Sequence, residues 1–126
     1  MENLSSEEAA SIWNSLRYKL ASERIPAWLQ GLLARTYDSF FGSDSGTRIG
    51  FERKTLEADY LDWLRQQIHL RPRGQDWNRV LERRVRQLQS HVGRLLICVW
   101  VSHGDNTAAI DLDAEDGAVV RWEEFD

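Results

Sequence analysis

Leu95-Leu96-Ile97-Cys98-Val99-Trp100-Val101 is the stretch that decides the fold. It is seven residues long, apolar throughout and rich in β-branched side chains. It is too short for an ordinary helix, which makes it a strand buried on both faces. Gly104-Asp105-Asn106 after it is a turn. Ala108, Ile110 and Leu112 then alternate with Thr107, Ala109, Asp111 and Asp113, the pattern of a strand with one wet face. Asp116-Gly117 is a hairpin signal, and Ala118, Val120 and Trp122 complete a third strand with Val119, Arg121 and Glu123 on its other side. The result is a three-stranded antiparallel meander over about residues 94–124.

Upstream, the periodicity changes to that of helices. Ser5 with Glu8 forms a capping box for a first helix whose apolar face is Ala9, Ile12, Trp13, Leu16 and Leu20. Pro26 suits the first position of a second helix through Trp28, Leu29, Leu32, Leu33, Tyr37, Phe40 and Phe41, which Gly42 stops. A loop follows over 42–47, and residues 48–52 read equally as loop or brief edge strand. Thr55 caps a third helix carrying Leu56, Tyr60, Trp63, Leu64 and Ile68, and Arg71-Pro72-Arg73-Gly74 breaks it. Asp76 caps a fourth with Trp77, Val80, Leu81, Val85, Leu88 and Val92, ended by Gly93. The expectation is therefore one α+β domain spanning 1–126, with about four N-terminal helices over 5–93 packed on one face of the C-terminal meander. Among the six tryptophans, Trp13, Trp63, Trp77 and Trp100 are expected in the core, and Trp28 and Trp122 partly exposed.

No apolar run approaches the roughly 20 residues of a membrane span. The acidic start, Met1-Glu2-Asn3-Leu4, lacks the basic and apolar regions of a secretory signal. With a single cysteine, Cys98, the reading is a cytoplasmic protein. The net charge of −4 is uneven: −2 over residues 1–47, +5 over 48–94 and −7 over 95–126.

Few residues suggest chemistry. Cys98 sits among apolar neighbours, the reverse of an activated thiolate. His69, His91 and His103 form no ligand pair at helical or turn spacing. Asp111 to Gly117 superficially resembles a calcium loop, but Asp116 and Trp122 stand where glycine and a bidentate glutamate are required. These readings predict no catalytic residues, no metal and no cofactor. An enzyme using His103 and Asp105 is a remaining alternative.

Two charged surfaces are candidates for binding. Asp105, Asp111, Asp113, Glu115, Asp116 and Glu123, with Trp122, form an acidic face on the meander that suits a basic partner protein. Arg79, Arg83 and Arg86 fall on one face of the fourth helix and could contact nucleic-acid phosphates. The overall negative charge favours the plainer reading of this stripe as a solvated face, and a third option is a basic helix packed near the acidic meander.

Short, acidic, Trp-rich and with helices ahead of a closing sheet at Leu95–Trp122, the chain resembles small bacterial immunity proteins, which neutralise toxins. The resemblance is one of type, with no family motif. It implies a non-catalytic inhibitor that blocks the active or substrate-binding surface of a cognate toxin, most simply a basic one.

Overall fold

The computed structural model describes residues 4–40, 46–70 and 75–125, with 69, 70 and 75–77 described as helical backbone alone. The elements run α1 (Ser6–Lys19), α2 (Ala27–Leu33), a 3-10 turn (Tyr37–Phe40), β1 (Thr47–Thr55), α3 (Ala58–Leu70), α4 (Gln75–Leu88), a second 3-10 turn (Gln89–His91), β2 (Leu95–His103), β3 (Asn106–Asp113) and β4 (Val119–Phe125). The expected stop at Gly42, the break at Arg71–Gly74, the cap at Asp76, and the packing of Phe41 and Trp77 lie outside the described residues.

The fold is α+β, as expected, but the sheet has four strands in the order β1-β2-β3-β4, all antiparallel. The added strand is the segment that read as loop or edge strand. It pairs with β2 residue for residue, from Thr47 opposite His103 to Thr55 opposite Leu95. The helices are therefore not all ahead of the sheet, since β1 lies between α2 and α3. Thr55 ends β1 instead of capping α3.

Helices also cover both faces of the sheet, not one. On the first face, Trp13, Leu16, Leu20, Leu29 and Leu33 pack on Ile97, Val99, Val101, Ala108, Ile110 and Leu112. On the second, Leu61, Leu64, Leu81, Val85 and Leu88 from α3 and α4 close over Leu96 and Val120. A sheet strand exposes alternate residues to opposite sides, so each layer of helices claims one parity of β2 and β3. A β-bulge serves both layers. The register shift beside Asp111 and Leu112 places Val119 in the first core and leaves Val120 to join the second.

Local chemistry sets the helix ends. At α1 the Ser5 hydroxyl accepts from the Glu8 amide while the Glu8 carboxylate accepts from the Ser5 amide, the expected capping box. The expected continuous second helix is divided after Leu33. The Trp13 indole donates to the Arg35 carbonyl at 2.9 Å, and the Tyr37 amide donates to the Asn14 side chain at 3.0 Å. Bonds from α1 thus take up backbone groups that a continuing helix would use. Phe40 then returns to the core, edge-on to Trp13 with ring centroids 5.3 Å apart.

Candidate binding site on the open sheet face

Among the described residues, α3 and α4 pack over one end of the second face of the sheet. Leu96 and Val120 lie under α3 and α4, whereas Trp100, two rows further along the same face of β2, is 42% exposed. The apolar run of β2 is therefore not buried on both faces as its sequence suggested. Trp63 is likewise 51% exposed, stacked on Tyr60 with ring centroids 6.2 Å apart. Trp28 and Trp122 are half-buried against the first core, as expected of them.

Trp100 lies where it does because its neighbour on β1 is Gly50. A Cβ on Gly50 would come 3.2 Å from the indole Cε3, so the ring rests across bare backbone. Between Trp100 and Tyr60 opens a cleft of about 230 Å³, also lined by Lys54, Leu56, Asp111 and Arg121. Cys98 opens onto it as well, but burial, and then the adjacent Asp111 carboxylate, push its thiol up to about 12. At neutral pH it is no nucleophile.

The floor of this face is an ionic chain. Arg121 donates from Nε to Asp111 at 2.6 Å and from a terminal nitrogen to Glu123, and Arg84 on α4 donates to the same Glu123 at 2.9 Å. Burial opposes the charge of Arg84, but the Glu123 carboxylate outweighs it and holds the guanidinium above its ordinary range. A second cluster forms at the β3–β4 turn, where Arg94 binds both carboxylate oxygens of Asp113 and also Glu115. The Arg94 bonds outweigh burial and hold the Asp113 carboxyl down at about 2.

These contacts correct the expected acidic surface. Asp111 and Asp113 do share a face of β3, but that face is not wet: they are 5% and 2% exposed. Their charges are answered by Arg121 and Arg94. Glu123 is partly buried between Arg84 and Arg121, while Trp122 points to the opposite face and packs in the first core. Asp105, Glu115 and Asp116 remain exposed, the first at the β2–β3 turn and the others at the β3–β4 turn, at opposite ends of the sheet. Asp116 also receives the Ala118 amide and shapes its turn, with Gly117 at a φ of 73°. The seven residues thus do not form one surface.

Arg79, Arg83 and Arg86 are exposed along α4, while Arg84 turns inward to the acidic strand. The reading of a basic helix packed near the acidic meander therefore holds for Arg84. His103 is exposed at the end of β2, and its Nδ1 lies 2.8 Å from the Thr47 hydroxyl. Among the described residues no group of three or more His, Cys, Asp or Glu could hold a metal ion, and no helix is long and apolar enough to cross a membrane.

No protein-family model, curated protein or solved structure matches this chain. The site is accordingly read from its own residues. Sequence reasoning missed Trp100 as a surface residue, because an apolar run carries no mark of where the covering helices stop. It also missed Arg121 as a pairing group, although a signal was present. Arg121 is the single basic residue in 95–126, and the Asp116-Gly117 turn folds it back beside Asp111.

Proposed function

We propose that the chain is a non-catalytic protein-binding inhibitor of the immunity-protein kind, and that its partner docks on the open half of the second sheet face around Trp100. The observation that carries the reading is Trp100 itself, 42% exposed on a central strand beside a cleft that the paired Asp111 and Arg121 also line. A tryptophan held half-exposed on a firm, partly apolar surface is the anatomy of an interface anchor. The exposed acidic turns at Asp105 and at Glu115–Asp116 stand at either end of that sheet and favour approach of a basic partner. Asp111, Asp113 and Glu123 serve the proposal indirectly, as the paired charges that fix the floor.

A second reading rests on the exposure of Arg79, Arg83 and Arg86 along the outside of α4, which leaves them able to reach nucleic-acid phosphates. Affinity capture of tagged protein from its native lysate, at low and high salt and with and without nuclease, separates the two. Recovery of one protein in stoichiometric amount, insensitive to nuclease and weakened by Trp100→Ala, is the expected result. Recovery that depends on nucleic acid and on the three arginines would transfer the function to α4.

A further inference from the structure

We propose that β1 is an interface with a second copy of this chain, the two β1 strands pairing antiparallel about a two-fold axis at Gly50. The strand order makes β1 one edge of the sheet, and it runs nine residues, Thr47–Thr55, without a bulge. An edge of that length is a template for a further strand unless it is blunted. The opposite edge, β4, is tied down by neighbours: Arg84 of α4 reaches Glu123, and Trp28 of α2 donates to Glu124. On β1, Arg53 is bound to Glu8 of α1, and the Lys54 amino group lies 5.9 Å over the Tyr60 ring. Arg48 and Glu52 have no ion-pair partner among the described residues.

Charge selects the register. With the axis at Gly50, Arg48 stands opposite Glu52 of the second copy, and symmetry repeats the pair. Directly opposed residues share a face, so both ion pairs lie on the Trp100 side of the sheet. On the other side Ile49 meets Phe51 of the second copy, again twice. Both are half-buried members of the first core, which would continue from one copy into the next. Neighbouring registers lack this match. An axis at Phe51 sets Arg48 against Lys54, and one at Glu52 sets that carboxylate against itself. Glycine also suits the axis on the Trp100 face, because each Trp100 ring already lies across Gly50 toward the edge. The two Trp100 backbones would stand three strand spacings apart, about 14 Å, so their indoles flank the axis on one eight-stranded sheet. The pairing stands independently of the inhibitor reading, to which it adds a two-fold symmetric docking face.

The test is sedimentation velocity of the full chain over a concentration series, for the wild type, Arg48→Glu, Glu52→Arg and the double variant. The wild type is expected to reach twice the 14.7 kDa chain mass. Each single reversal turns two attractions into two repulsions and should raise the dimer dissociation constant about tenfold or more. The double variant restores opposite charges in the same register and should recover the dimer. A wild type that stays monomeric at every concentration overturns the proposal. So does a dimer indifferent to Arg48→Glu, or a double variant no better than the singles. Arg48 is exposed, and unchanged circular dichroism of Arg48→Glu separates lost pairing from lost folding.

Discussion

Replacing Arg121 by methionine removes the centre of the ionic chain while keeping most of the side chain's length. Asp111, its partner at 2.6 Å, is then left as a buried carboxylate without its cation; the two side chains are only 10% and 8% exposed. Breaking a buried ion pair from one side costs about 3–5 kcal/mol, far above the roughly 0–1 kcal/mol of an exposed pair. Glu123 retains Arg84 at 2.9 Å, which keeps the expected loss near the lower end, about 3 kcal/mol. That is a large fraction of the roughly 5–15 kcal/mol that holds a domain of this kind together. Removing both partners, Asp111→Val with Arg121→Met, leaves no orphaned charge and should cost about 1 kcal/mol or less. Urea unfolding followed by tryptophan fluorescence measures both variants against the wild type, with the midpoint falling and the slope unchanged. If Arg121→Met alone costs under about 1 kcal/mol, the pair behaves as an exposed one and the closed ionic chain beside the Trp100 cleft is wrong.

Acid stability should report Asp113. Its folded carboxyl is held at about 2 against an ordinary 3.8, so its contribution is complete above the ordinary value and lost as pH falls toward 2. Urea midpoints should drop between those limits, and Arg94→Met should remove that component of the drop. Cys98, 5% exposed with its thiol pushed up to about 12, should resist alkylation at pH 8 in the folded protein and react only after unfolding; rapid native labelling would contradict its burial. Trp13→Ala removes a fully buried ring, its edge-on contact with Phe40 and its bond to the Arg35 carbonyl. A loss of about 3–5 kcal/mol is expected by the same unfolding assay.

The fold was legible where periodicity and local chemistry agree. The capping box at Ser5 and Glu8, the apolar face of α1 and the hairpins at Gly104 and Gly117 are all local, and each forms as read. What escaped the sequence depends on contacts between distant segments. β1 alternates Ile49 and Phe51 against Arg48, Gly50 and Glu52, too short and too charged a pattern to separate from a loop until β2 supplies its ladder. The wet face assigned to Asp111 and Asp113 followed from alternation alone. Alternation reports which residues share a face but not what covers it, and here α3, α4 and three arginines do. The same limit hid Trp100, whose apolar neighbours are buried while it emerges beyond the reach of the second helical layer.

Isothermal titration of the captured partner against wild type and Trp100→Ala tests the central claim most directly. One-to-one binding per chain that weakens about 30-fold or more on losing the indole, the scale of an interface anchor, is the expected result. Equal affinity for the two proteins, with unchanged circular dichroism, would place the docking surface elsewhere and contradict the account.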